Sequence, residues 1–134
     1  EGIINQLKKF SSKFKKFLIH KYIPHEEFIE LLKNSKFFIG NSSSGIIEST
    51  YLKIPFINLG NRQKGRLYSK NILHSSFNVD EIQKKIKISQ SKNFKKNQLQ
   101  KANLLYGNGK SYEKAYSILK SNINSLSQYK NFHE

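Results

Sequence analysis

Phe37-Phe38-Ile39-Gly40-Asn41-Ser42-Ser43-Ser44-Gly45-Ile46-Ile47-Glu48 is the stretch that decides the fold. It starts as an apolar run, breaks at a glycine, passes three serines and a second glycine, then resumes with apolar residues at helical spacing. That order predicts a strand from Lys36 to Ile39, a tight loop, and a helix from about Ser44 to Leu52. A helix start offers backbone N–H groups without intrahelical partners and a partial positive charge, which suits a phosphate. Serine hydroxyls add donors with little bulk, and Gly40 and Gly45 would let backbone come close to a ligand. Glu48 is not needed as a cap. A carboxylate there could accept hydrogen bonds from a ribose, as acidic residues do in dinucleotide folds. A plainer explanation uses the same residues: Asn41 or a serine simply caps a helix.

The neighbouring sequence changes the weighing. Ile54-Pro55-Phe56-Ile57-Asn58-Leu59-Gly60 reads as a second strand, Phe56 to Leu59, with Pro55 at an allowed position before it. Asn61-Arg62-Gln63-Lys64-Gly65-Arg66 follows as a polar loop with three cations. Two successive strand ends put both loops on one edge of a parallel sheet, where ligands bind in open α/β folds. Arginine suits phosphate by its planar, bidentate donors, although loop cations are often merely solvated.

Gly40 to Glu48, followed by Asn58 to Arg66, resembles the hydrolysing UDP-N-acetylglucosamine 2-epimerases of sialic and related nonulosonic acid biosynthesis. Leu105-Tyr106-Gly107-Asn108-Gly109-Lys110-Ser111 is similar to their closing Tyr-Gly-x-Gly-x-Ser segment. The likeness runs from roughly Tyr22 to Leu119, with three motifs in order. The family usually reads Glu-Ala-Pro where this chain has Glu48-Ser49-Thr50. The resemblance implies that Ser42, Ser43, Ser44 and Gly45 hold the diphosphate of UDP, that Glu48 holds the ribose, and that an aromatic base contact falls at Phe28. By its spacing alone, Phe28 is equally a core residue. Arg62, Gln63 and Arg66 become candidates for contact with phosphate or the sugar side of the cleft.

Composition sets the outer limits. A chain of 134 residues, 37% hydrophobic and 13% aromatic, is long and apolar enough for a real core and unlike a disordered segment. The absence of cysteine excludes disulfides and thiolate metal sites. No apolar run reaches membrane-spanning length and no cleavable leader is seen. The first residue is not Met, so the expectation is a fragment, a split gene product or an excised domain. The net charge of +15 invites a nucleic-acid partner. The lysines are spread over the whole chain, however, and Lys84, Lys85 and Lys87 or Lys92, Lys95 and Lys96 read as solvated helix faces.

Taken in order, Ile3, Ile4, Leu7, Phe10 and Phe14 predict a first amphipathic helix. Phe17-Leu18-Ile19-His20 predicts a short strand, with His20 structural because no acid stands beside it. A helix from His25 to Lys33 follows Pro24, with Glu26 and Glu27 in its first turn. Asn71 to His74 predicts a last strand, and His74 is given no chemistry. Asn78 or Asp80 caps a helix carrying Val79, Ile82 and Ile86, and a partly helical polar stretch runs from Ser89 to Lys101. Tyr106 to Gly109 is a turn, after which Ser111 caps a helix from Tyr112 to about Leu126. A frayed tail is expected over 127–134.

The fold class expected is α/β: a Rossmann-like three-layer domain with a parallel sheet, corresponding to the C-terminal half of a glycosyltransferase-B-like two-domain fold. One domain, 1–134, would bind UDP or a UDP-sugar with no cofactor and no metal. The partner it needs is the N-terminal domain, in cis or as a separate chain, because the family's catalytic carboxylates and histidine map onto no residue here. The resemblance further implies a cytoplasmic location and allows a homo-oligomer. Two other readings stand beside it: a nucleotide-sugar glycosyltransferase domain, which shares the fold, and a basic nucleic-acid-binding module without enzymatic activity.

Overall fold

A computed structural model describes residues 2–99, 101–102 and 105–123. The chain divides into two compact units, Glu1–Ser35 and Lys36–Glu134, and each is described by itself.

The first unit is helical. Helix α1 spans Gly2–Lys13 and buries none of its residues. The expected strand at Phe17 to His20 does not form. Instead the chain turns back on α1: the Phe17 N–H donates to Phe14 O (2.8 Å), the Ser11 hydroxyl donates to Phe17 O (3.2 Å), and the Phe17 ring lies 6.2 Å from Phe10. A strand needs a neighbour for its N–H and C=O groups, and this run has none among the described residues. His20 is exposed on it. Helix α2 spans His25–Lys33, begins behind Pro24 with Glu26 and Glu27 in its first turn, and ends at Asn34. The Asn34 side-chain amide donates to Glu30 O at 2.9 Å, which satisfies a terminal carbonyl.

The second unit carries the sheet. Strands β1 (Phe38–Gly40), β2 (Phe56–Leu59) and β3 (Ile72–Ser75) lie side by side in chain order, all parallel. Phe38 pairs with Phe56 and Phe56 with Ile72, so one row of apolar side chains crosses the sheet. The core is built on that row: Ile46, Phe56 and Ile72 are buried, with Phe38 packed against them and its ring 5.1 Å from Phe56. β2, the central strand, is buried at three successive residues, as a parallel strand covered on both faces should be. The result is an α/β Rossmann-like unit with an open parallel sheet flanked by helices, as the sequence predicts. β1 and β3 each sit further along the chain than expected, and Gly40 and Ser75 belong to the ladder.

The helix expected from Ser44 to Leu52 is broken in two. A 3-10 turn covers Ser43–Gly45, and α3 proper covers only Glu48–Tyr51. The cause is local. The Ser49 hydroxyl donates to Gly45 O, and Thr50 Oγ1 lies 2.6 Å from Ile46 O. These hydroxyls occupy the carbonyls that a continuous helix would use, a competition that bends or interrupts helices.

Helix α4 spans Val79–Gln90 and is capped by Asn78, whose Oδ1 accepts from the Glu81 N–H at 3.0 Å. Glu81 reaches back to Ser76, accepting from its N–H (3.0 Å) and its hydroxyl (2.5 Å). A short helix α5, Lys92–Phe94, runs into a π-helical turn, Lys95–Leu99, which agrees with the partly helical expectation. Helix α6 spans Ser111–Asn122. Ser111 is its first residue and makes no capping bond. The Lys110 N–H instead meets Asn108 Oδ1 at 3.3 Å, a local turn that uses up the entry to the helix. Leu126 and the tail 127–134 lie outside the described residues. Among the described residues no helix is long and apolar enough to cross a membrane.

Candidate functional site

β1 and β2 end side by side, and each releases a polar loop at the same edge of the sheet. From β1 comes Asn41 to Gly45, the serine loop. Ser42 accepts the Ser44 N–H on its hydroxyl oxygen at 3.3 Å, so it caps the 3-10 turn and leaves its own O–H undonated. The hydroxyls of Ser43 and Ser44 have no hydrogen-bond partner among the described residues. All three serines are half-buried. The loop therefore offers three hydroxyl donors on half-buried residues, where partial desolvation strengthens a hydrogen bond to an anion. Its helical part is too short to carry a large dipole, so these hydroxyls and the first N–H groups of the turn must supply the donor set.

Gly45 has a different reason from the one its sequence position suggests. A Cβ on it would lie 2.0 Å from Cζ of Phe56. Its missing Cβ is what lets the turn close onto the core ring. Glu48 opens α3 and is half-buried, with Oε2 enclosed and without a hydrogen-bond partner among the described residues. An enclosed carboxylate oxygen with no donor is costly, so a donor brought to it would be favoured.

From β2 comes the cationic loop. It is a succession of turns, with Lys64 N–H on Asn61 O (2.9 Å) and Arg66 N–H on Gln63 O (3.3 Å). Arg62, Lys64 and Arg66 are exposed, and neither arginine is in an ion pair among the described residues. Gln63 is the exception in this loop: it is buried, and its Nε2 donates to Asn41 O at 2.7 Å. The loop is also held at its far end, where the Tyr106 hydroxyl donates to Leu67 O at 2.9 Å. Tyr106, Gly107 and Gly109 in turn face Ile47, Thr50 and Tyr51 across a small cavity. The three motifs separated in sequence thus meet in one place.

Phe28 lies in the first unit, half-buried on α2, so it is described apart from the serine loop. Sequence reasoning missed two features. Asn71 is fully buried behind α3, its Nδ2 donating to Ser49 Oγ (3.0 Å) and Ile54 O (2.9 Å), with Thr50 Oγ1 3.0 Å from its Oδ1. The hydroxyls of Ser49 and Thr50, where the resembled family has Ala and Pro, are anchored by this amide. The second is a cavity of about 540 Å³ at the ends of β2 and β3, lined by Asn58, Lys64, Tyr68, His74, Ser75 and Glu81 among others. Asn58 Nδ2 lies 3.2 Å from His74 Nδ1, and Tyr68 packs edge-on against the His74 ring. Burial, then the charge of Lys85, holds the His74 pKa below its ordinary value. An Asn inside the otherwise apolar run Phe56 to Leu59 was the one sequence signal for this feature. Among the described residues no group of three His, Cys, Asp or Glu could hold a metal ion.

The profile of the UDP-N-acetylglucosamine 2-epimerase family matches residues 2–120. The chain belongs to that family. Its relatives in this family include a GDP/UDP-N,N'-diacetylbacillosamine 2-epimerase (hydrolyzing) of Campylobacter jejuni, 43% identical over 72% of this chain and 24% of the relative. A UDP-N-acetylglucosamine 2-epimerase of Neisseria meningitidis is 39% identical over 61% of this chain and 21% of its own length. A UDP-N,N'-diacetylbacillosamine 2-epimerase (hydrolyzing) of Legionella pneumophila is 35% identical over 77% and 26%. The chain spans about a quarter of the length of the curated relatives it matches. The serine loop, the cationic loop and the Tyr106 turn of this 2-epimerase family member all fall within the matched residues.

Proposed function

We propose that this chain is the nucleotide-holding part of a hydrolysing 2-epimerase acting on a UDP-linked 2-acetamido sugar. The observation that carries the reading is the serine loop: three half-buried serines at the carboxyl edge of a parallel sheet, whose hydroxyls donate to no partner among the described residues. The hydroxyls of Ser42, Ser43 and Ser44 hold the diphosphate, and Gly45 lets the turn that carries them close. Glu48 takes the ribose hydroxyls, which give its enclosed oxygen a donor. Arg62 and Arg66 supply positive charge on the phosphate and sugar side.

In the reaction, the proton leaves C2 of the sugar and the C–H electron pair forms the C1–C2 double bond. The C1–O bond to the diphosphate breaks with its pair on the phosphate oxygen. Water then adds across the double bond, hydroxyl to C1 and proton to the opposite face of C2. The products are UDP and the 2-epimerised sugar. Negative charge grows on the β-phosphate as the bond breaks, and fixed hydroxyl and N–H donors stabilise it most at that moment. The acid and base that move the C2 proton are supplied from outside this chain, so the chain by itself does not turn over. On this reading the product feeds sialic- or legionaminic-type acid synthesis in the cytoplasm.

Calorimetric titration with UDP tests the reading. Saturable binding is expected, weakened at least tenfold in Glu48→Ala and in the Ser43→Ala/Ser44→Ala double variant. Equal UDP affinity in all three proteins would refute it. Binding to nucleic acid that falls steeply with salt, with indifference to UDP, would favour the basic-module reading instead.

A further inference from the structure

We infer that Gln63 is a positioning residue: it holds the serine loop in its diphosphate-binding conformation through the Asn41 carbonyl and does not itself touch the ligand. The inference rests on the nucleotide reading above and goes one step into how that site is built. In the loop Asn61 to Arg66 every residue is exposed except Gln63, which retains 5% of its accessible surface. Its Nε2 donates to Asn41 O at 2.7 Å, across 22 residues of sequence, joining the ends of two adjacent strands. Its Oε1 is enclosed and has no partner among the described residues, and the whole side chain is shut off from the surface, unlike that of the half-buried Glu48. The amide orientation is fixed by chemistry: a carbonyl oxygen only accepts, so the NH₂ end must face Asn41.

The consequence follows from the peptide plane. The Asn41 carbonyl and the Ser42 N–H belong to one planar trans peptide and point in opposite directions. Gripping the carbonyl therefore fixes the direction of the Ser42 N–H, the first donor of the loop, and the entry to the turn that Ser42 caps. A buried acceptor left unpaired is costly, and Gln63 carries that penalty at Oε1 while making this one tie. An apolar side chain of similar size would avoid it but would release Asn41.

The variants are Gln63→Ala, and Gln63→Glu, which keeps the shape and loses the donor. Two readouts separate positioning from general support. Amide hydrogen exchange at Gly45, Ile46 and Ile47, which are hydrogen-bonded within the turn, should speed up about tenfold or more, with exchange at Ile57 in β2 unchanged. UDP affinity should fall about tenfold, while uridine, which lacks the diphosphate, binds as it does to wild type. Unchanged exchange in the turn, equal acceleration at Ile57, or equal loss of UDP and uridine would overturn the inference. A wild-type chain that fails to bind UDP at all would overturn the nucleotide reading and this proposal with it. A wild type that binds while Gln63→Glu binds equally well defeats the proposal alone.

Discussion

Gly45→Ala is the sharpest test of why the serine loop has its shape. Gly45 is buried, and a Cβ there would meet three ring carbons of Phe56 at 2.0, 2.1 and 2.3 Å. Carbon atoms settle at about 3.5–4.0 Å, so ring or turn would have to retreat by about 1.5 Å. Phe56 cannot yield easily: it is fully buried on the central strand, between Ile46, Ile72 and Phe38. Overpacking usually costs about 1–3 kcal/mol, and an overlap of this size with a rigid ring belongs at the upper end. For a chain of this length that is a fall in melting temperature of roughly 10 °C. Thermal melts by circular dichroism would read it, with urea titration giving the free energy. Phe56→Leu removes the clashing ring atoms, so the Gly45→Ala/Phe56→Leu pair should be more stable than the sum of the single changes by about 1–2 kcal/mol. A Gly45→Ala protein that melts within a degree or two of wild type, but loses UDP affinity, would show that the glycine serves ligand approach and that the packing argument is wrong.

Asn71→Ala should cost about 2–4 kcal/mol in urea denaturation with an unchanged slope, because Ile54 O loses its donor and a cavity opens behind α3; a cost under about 0.5 kcal/mol would mean that Ser49 and Thr50 hold α3 without it. His74 titrates below its ordinary value through burial and Lys85, so the unfolded chain takes the proton first, and stability present above about pH 6.5 should drain as the pH falls through the folded pKa. Glu81 is held low by the Ser76 hydroxyl and N–H, assisted by Lys85 and Lys84, so its contribution is present above the usual carboxylate range and is lost at more acid pH. Melts from pH 7 to pH 3 should show two declines, the upper flattened in His74→Asn and the lower in Glu81→Gln; an upper decline that survives in His74→Asn would refute the assignment.

Those predictions turn on features that were unequally legible in the sequence. The strand Phe56 to Leu59 could be read directly, since a short buried run between Pro55 and Gly60 has few alternatives. Phe17 to Ile19 looks the same by composition and is not a strand, because pairing is a property of neighbours and not of the run. The helix after the serines was legible as an element but not as a broken one. The break comes from hydroxyls turning back on carbonyls four residues earlier, and Ser49 and Thr50 could as well have faced solvent. At the site, the serines follow β1 as their order suggested, while Glu48, expected inside the helix, opens the separate helix α3. Gln63 does not behave as its cationic neighbours do: in sequence it is one more polar loop residue, and only its burial against Asn41 separates a tether from a contact. The Asn58–His74 pair joins residues 16 positions apart that only the β2–β3 register brings together.

The most direct test of the central claim is a titration of ¹⁵N-labelled chain with UDP, followed amide by amide. The expected result is saturable shifts concentrated at Ser42, Ser43, Ser44, Gly45 and Glu48, with the lysine-bearing face of α4 unmoved. No saturable shift in the serine loop of a folded chain, or shifts spread over Lys84, Lys85 and Lys87 as for any polyanion, would contradict it.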